Sequence, residues 1–457
     1  MSSAQVNDSR RQQSIIITII KYKMSKQAEE RLLNERPSAG ATGTFPVNKK
    51  RASAVFEIAS YYGFTPIHPP AITKSDLAKA KLLVGSEHGS YRQADNENCS
   101  LGICAEEKVA ILRTYSEMFP SLPQPLFIFF EGGFADPPSR LPARRQARGR
   151  VATTQERRAN LEIIGNGKSV AEAILIQTSI AILAEEGFEN LYVEINSVGD
   201  RDSNTRFARE LTGFYRKRLS ELPAHCRQTF KRDVLELFAC REKKCRDLMD
   251  EAPESLNFLN EQSKTHFKEV LEYLETLNIP YRINHRLAGN CHFVNHTVFE
   301  IKSIDDETAA DGAPPLAAGF RYSGIAKKIG LKQELASAGA ALAYRKKSSR
   351  PSSRSVKIKK PLIYFIQLGF EAKLKSLLVL EMLRREKIPV HQSLPKDKLT
   401  AQLSAAENLR IPYAVIMGQK EAMENSVIVR NMGNRSQETI PLAELPGYLK
   451  HIKRNLS

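Results

Sequence analysis

The sequence predicts two folded units of mixed helix and strand content joined by a basic linker, and three stretches carry that expectation. In residues 361–457, strand-like and helix-like segments alternate: Leu362 to Gln367, Lys373 to Arg385, Val390, Lys396 to Leu409, Tyr413 to Met417, Val427 to Asn431, and a final helix near Leu445 to Lys453. Alternation at that spacing implies an α/β unit with a mostly parallel sheet covered on both faces. Immediately before it, residues 346–360 read KKSSRPSSRSVKIKK, basic and Ser-rich without apolar spacing, as a linker does. Upstream, Tyr281 to Leu287 and Phe293 to Ile301 flank a Gly-Asn-Cys-His stretch. Gly289 with Asn290 suits a chain reversal, so a β-hairpin is expected there.

With 457 residues and 42% hydrophobic content, the chain can bury a sizeable core. Lys and Arg number 68 against 51 Asp and Glu, a formal charge of +17 that favours a polyanionic partner such as nucleic acid. Charge alone serves solubility or an anionic membrane surface equally well. Six cysteines, Cys99, Cys104, Cys226, Cys240, Cys245 and Cys291, are scattered rather than dense, which points to a reducing cytoplasm. The apolar run Ile15 to Ile20 is too short for a signal-peptide core or a membrane span, so neither export nor insertion is expected. Met24 is as available as Met1 for a start.

Taken in order, residues 1–44 are polar and basic and read as a flexible extension. Lys49 to Tyr62 carries a helical stripe closed by Gly63, and the extended Thr65 to Pro70 follows. Gln124 to Ala135 is strand-rich. It leads into a Pro- and Arg-rich stretch with seven arginines between Arg140 and Arg158, a density that suits phosphate because guanidinium forks pair with its oxygens. Leu161 to Gly165 returns as a strand, Ser169 to Glu186 is an amphipathic helix ended by Gly187, and a strand and the helix Asn204 to Leu219 come next. Gly165 to Ser169, GNGKS, ends like a phosphate-binding loop but has Glu162 where the first glycine belongs, and is rejected. His225, Cys226, Cys240 and Cys245 lack a paired Cys-x-x-Cys, so free cysteines in a helical insertion are expected and no metal site.

Several of these stretches together resemble histidyl-tRNA synthetases, class II aminoacyl-tRNA synthetases. Arg286-Leu287 followed by Thr297-Val298-Phe299-Glu300 has the frame of the family's central motif. NLEIIG, the following helix and Asn196-Ser197-Val198-Gly199-Asp200 match the order and spacing of its second-motif exit and Asn-Ser-x-Gly-Asp segment. Gly319 to Gly324 resembles Gly-Gly-Arg-Tyr-Asp-Gly, SAGAALAYRKK the end of motif three, and IPYAVIMGQKE with VIVRNM the anticodon-binding domain. The resemblance covers roughly residues 45 to 450. It implies an α+β catalytic domain on an antiparallel sheet over 45–345, with a helical insertion at about 202–278, and an α/β anticodon-binding domain over 361–457. It also implies ATP and Mg2+, histidine tRNA as partner, a homodimer and a cytoplasmic setting.

The resemblance further assigns residues. Glu106, Glu162 and Tyr322 fall on positions that touch the histidine amine or ring, while Val294 and Arg158 replace a tyrosine and a glutamine. Three arginines stabilise the reacting carboxylate and phosphate in the family. Their positions fall on Ala135, on Gly289 and on Lys346 or, one residue earlier, Arg345. Losing one preorganised charge donor commonly costs on the order of a hundred- to a thousandfold in rate. Arg144, Arg145, Arg148 and Arg150 are assigned to RNA. The expectation is a synthetase-like pseudoenzyme that binds tRNA, with histidine activation weak or lost. The alternatives are an active histidine–tRNA ligase using substituted residues, or a non-catalytic regulatory subunit of histidine biosynthesis.

Overall fold

The computed structural model describes residues 53–84, 104–118, 124–134, 156–240, 242–288, 293–305, 315–345, 361–392 and 398–455. The extension 1–44 and the linker 346–360 lie outside them.

Eight strands form the first sheet: β1 (Thr65–Pro66), β2 (Leu126–Glu131), β3 (Glu156–Ile164), β4 (Leu191–Ser197), β5 (Tyr281–Ile283), β6 (Val294–Ser303), β7 (Ala317–Tyr322) and β8 (Ser337–Arg345). Their spatial order is β1-β2-β3-β8-β7-β6-β4-β5. Every internal pairing is antiparallel, and only the two edges, β1 on β2 and β5 on β4, are parallel. Side chains alternate across the sheet as strand geometry requires. Phe127 and Phe129 of β2 enter one core with Leu161, Ile163 and Phe299, while Ile128 and Phe130 enter the other with Val298, Phe320 and Tyr322. The Val170–Glu185 helix covers the first face, and nearly every residue of it is buried. Contrary to the amphipathic helix expected here, it has no solvated stripe, because other elements cover it from outside; Ala54–Tyr61 and Glu261–Thr276 supply that cover. The Ala105–Met118 helix covers the second face.

Two further expectations fail here. Tyr281–Ile283 and Val294–Ser303 do not form a hairpin, because β4 lies between them: Val193 pairs Tyr281 on one side and Ile301 on the other. LYVEINS is a nearly buried strand with two ladders to satisfy. β5 is a three-residue edge strand with Arg282 and Ile283 exposed, so it had no alternation to reveal where it pairs. The second concerns the strand expected from Leu161: β3 begins earlier, at Glu156, so Arg157 and Arg158 stand on the ladder opposite Tyr344 and Ala343.

The insertion packs the Arg201–Lys217, Ala224–Arg232 and Lys243–Asp250 helices and a short 3-10 turn, Val234–Ala239, around Phe207, Leu211, Tyr215, Leu222 and Leu248.

The second sheet contains β9 (Ile363–Gln367), β10 (Val390–Gln392), β11 (Tyr413–Met417), β12 (Ser426–Asn431) and β13 (Gln437–Pro441), ordered β10-β9-β11-β12-β13. It is parallel across β10, β9 and β11, as the alternation implies, and is extended by β12 and β13 antiparallel. β13 escaped sequence reading because it is largely exposed and carries no apolar period. The elements packed on the two sheets meet through side chains. The Tyr62 hydroxyl donates to Glu381 at 2.7 Å, Gln392 donates to the Tyr62 carbonyl at 2.9 Å, and Tyr273 meets Phe370 edge-on.

Candidate substrate pocket

β3 delivers Glu162 into the middle of the first sheet, between Ile128 of β2 and Gly339 of β8. Its carboxylate needs that glycine: a β-carbon at position 339 would stand 2.3 Å from Oε2. β7 ends at Tyr322, fully buried, whose hydroxyl donates to Glu162 Oε2 at 2.8 Å. The first turn of the Ala105–Met118 helix brings Lys108 to the other oxygen, where its ammonium donates to Oε1. That ammonium also lies 4.9 Å from the Phe320 ring centroid and 5.2 Å from that of Tyr322, so aromatic faces complete its cage. Burial pushes the Glu162 carboxyl above its ordinary range, against the pull of Lys108. Burial beside Glu162 pushes the Tyr322 hydroxyl well up too, so it stays a donor.

The structure brings Glu162 and Tyr322 together, and Lys108 joins them unannounced. The signal was in the sequence: Glu106, Glu107 and Lys108 are consecutive charges, all buried, on a helix whose neighbours are Ala105 and Val109. Buried ammonium groups need a carboxylate. Glu106 is buried two residues earlier, and its Oε1 has no hydrogen-bond partner among the described residues. Val294 pairs with Tyr322 across β6 and β7. Arg345 stands exposed at the end of β8, opposite Glu156. Ala135, Gly289, Lys346 and the arginines 144, 145, 148 and 150 lie outside the described residues, as do Cys291 and His292.

The Asn-Ser-Val-Gly-Asp segment has a structural job. Asn196 donates to the carbonyls of Leu287 at 2.8 Å and His285 at 3.4 Å, pinning the strand that leaves β5. Gly199 turns at φ +70°, where a β-carbon would strike Ser203 at 2.5 Å, and Asp200 then caps the next helix through Ser203 N at 2.9 Å. Arg286 of the central motif forms a two-pronged pair with Asp250 of the insertion. Across the sheet from Tyr322, Arg321 is buried against Glu172 and the carbonyls of Asn166 and Lys168. His266 reaches the same carboxylate at 2.8 Å, and His296 stacks on His266 with centroids 4.8 Å apart. Although burial opposes it, Arg321 holds the Glu172 carboxyl far below its usual range. Burial, helped by His266 and Arg321, lowers His296 to about 4.

In the insertion, the structure gathers His225, Cys226 and Cys240, whose ligand atoms all lie within 4.8 Å of one another. The separation in sequence that argued against a set is closed by the 3-10 turn.

Residues 364–452 match the family described as anticodon binding domain. Over 410 residues the chain is 28% identical to the histidine–tRNA ligase of Anoxybacillus flavithermus, spanning 87% of this chain and 93% of that protein. It is 27% identical over 405 residues to that of Geobacillus kaustophilus, spanning 86% and 91%. Among solved structures, an apo S. aureus histidyl-tRNA synthetase aligns at 22% identity over 91% of this chain and 100% of that one, with a TM-score of 0.45. With its C-terminal domain matched and its sequence aligned almost end to end with such ligases, the chain is similar to histidyl-tRNA synthetases along nearly its whole length.

Proposed function

We propose that this chain is a synthetase-like protein that binds tRNA, through its C-terminal domain and its basic segments, and has little or no capacity to activate histidine. The observation that carries the loss is the Lys108–Glu162 ion pair. By resemblance Glu162 faces the histidine substrate, yet here the chain's own ammonium fills that role, caged by Phe320 and Tyr322. A tethered competitor acts at an effective concentration on the order of millimolar or above, so a free amino acid binds at a disadvantage. Removing one partner of a buried pair costs about 3–5 kcal/mol, which an incoming amine would have to offset.

The nucleotide side supports the same reading. Mg2+-bound ATP needs planar, charged donors around its phosphates, and the positions assigned to them hold Ala135, Gly289 and Lys346 or Arg345. Ala135 and Gly289 offer no such donor, so two of the three positions do not fit the group. The net charge of +17 and the anticodon binding domain support tRNA as partner. That same retained domain weighs against a regulatory subunit of histidine biosynthesis. A homodimer belongs to this proposal by resemblance.

The test is histidine-dependent ATP–pyrophosphate exchange by the full chain, by Gly289→Arg, and by Lys108→Ala combined with Gly289→Arg, alongside tRNA binding over a salt series. No exchange by the unmodified chain, with tRNA retained and weakening steeply with salt, is the expected result. Clear exchange by the unmodified chain would overturn the loss of activation, and absence of tRNA binding would overturn the other half.

A further inference from the structure

The insertion carries a side-chain cluster that neither the substrate pocket nor the C-terminal domain uses. Cys226 Sγ lies 3.2 Å from His225 Nε2 and 3.2 Å from Cys240 Sγ, and Cys240 Sγ lies 3.9 Å from the same imidazole nitrogen. Cys245, fully buried, lies beside Cys226 and Cys240, just outside the three residues whose ligand atoms fall within 4.8 Å of one another. We propose that His225, Cys226, Cys240 and Cys245 bind a tetrahedral Zn2+ ion that holds the insertion together.

Geometry separates this from the alternatives. A disulfide needs its sulfurs at about 2.05 Å, and the Cys226 and Cys240 sulfurs stand 3.2 Å apart with both thiols free. Zinc–sulfur bonds of about 2.3 Å at a tetrahedral angle place two sulfurs about 3.8 Å apart, and sulfur and imidazole nitrogen about 3.5 Å apart. The observed sulfur–nitrogen separations of 3.2 and 3.9 Å lie either side of the second value, and the sulfur–sulfur separation of 3.2 Å falls about half an ångström short of the first. An ion would need the side chains to open by roughly half an ångström. A purely apolar role for three thiols also fails to explain His225, an exposed imidazole turned toward buried sulfur.

Local structure shows how a set without Cys-x-x-Cys is assembled. Pro223 starts the Ala224–Arg232 helix, so His225 and Cys226 occupy its first turn. Asp233 then caps the 3-10 turn Val234–Ala239 through Leu235 N at 2.9 Å, and that turn returns the chain so that Cys240 meets Cys226 across 14 positions. Cys245 follows on the Lys243–Asp250 helix. The unit these ligands join is small, two short helices and a 3-10 turn packed on the Arg201–Lys217 helix around Phe207, Leu211, Tyr215, Leu222 and Leu248. Small units with modest cores commonly depend on a metal or a cross-link. Three thiolates and a neutral imidazole around Zn2+ carry one net negative charge, and residues 224–250 hold seven Lys and Arg against five Asp and Glu.

The experiment uses the full chain purified without chelator, with metal content measured by mass spectrometry and Co2+ exchanged in as a spectroscopic probe. About one zinc per chain is expected, together with the visible bands of tetrahedral cobalt and a thiolate-to-cobalt charge-transfer band. Cys240→Ala and Cys245→Ala should each lose most of the metal, and Cys104→Ala should keep it. Hydrogen exchange over residues 224–250 should accelerate on chelation in the unmodified chain. If the cysteine variants fail to fold, the cobalt spectrum of the unmodified chain decides. A chain that takes up neither metal, with thiol titration finding either free thiols or a Cys226–Cys240 disulfide, overturns the proposal.

Discussion

Lys108 donates to one oxygen of Glu162, and Tyr322 donates to the other, at 2.8 Å, inside a sheet where all three are buried. The pair is a structural element of the first sheet. Lys108→Ala leaves a carboxylate buried with only a hydroxyl partner, and is expected to destabilise the chain by about 3–5 kcal/mol. Lys108→Met with Glu162→Gln removes both charges at similar volume and should recover most of that loss. Urea unfolding measures both, and a single variant as stable as the parent would contradict the pairing.

Gly339 is the second support of the same carboxylate. Gly339→Ala sets a methyl group 2.3 Å from Glu162 Oε2, and Glu162 has no solvent side to retreat to. A cost of about 1–3 kcal/mol is expected, as for other overpacked cores. Adding Glu162→Ala should make the alanine at 339 nearly neutral relative to that variant, a coupling that a double-mutant cycle reads directly.

His296 sets a pH dependence. Its folded pKa of about 4 lies below the ordinary 6.5 because burial, His266 and Arg321 disfavour its charged form. The unfolded chain therefore takes up this proton first as pH falls. The stability that the neutral imidazole contributes is complete above about pH 6.5 and declines towards pH 4, by up to about 1.4 kcal/mol per pH unit. The backbone at His296 has φ +52°, which asparagine tolerates well. His296→Asn should flatten the dependence between pH 6.5 and 4.5, measured as melting temperature against pH. An unchanged slope would assign it elsewhere.

Between the two sheets, Glu381 binds Arg384, Arg385 and the Tyr62 hydroxyl, and these partners, against burial, hold its carboxyl down to about 2. Tyr62→Phe removes the donor at 2.7 Å and strands Gln177, which bonds the same hydroxyl at 3.2 Å. A loss of about 1–3 kcal/mol is expected, and calorimetry should show the two domains melting less cooperatively. Because the folded pKa is depressed, what Glu381 contributes is present above about pH 4.5 and lost as pH falls towards 2. Glu381→Gln should lack that acid-side decline.

Much of the architecture was legible because it rests on local chemistry. The Val170–Glu185 helix, β11 and β12 follow from apolar spacing and stop signals within a residue or so. Glu162 and Tyr322 were each named through motif order, and the structure joins them at 2.8 Å. The hairpin failed because strand pairing is a non-local choice: Val193 could be seen as a strand residue, but not as lying between Tyr281 and Ile301. β13 and the strand start at Glu156 were hidden by exposed or charged side chains that carry no period.

By itself, then, the sequence determined which segments are helix or strand, where the family motifs stand, and that Ala135 and Gly289 occupy positions assigned to arginines. Those are properties of residue type and spacing. Only the tertiary structure decided that Lys108 neutralises Glu162 across 54 positions and that Cys240 returns onto Cys226 across 14. The reason is physical: a buried charge and a metal-ligand set are both satisfied by whichever groups packing brings within a few ångströms, and distance along the chain says nothing about which those are.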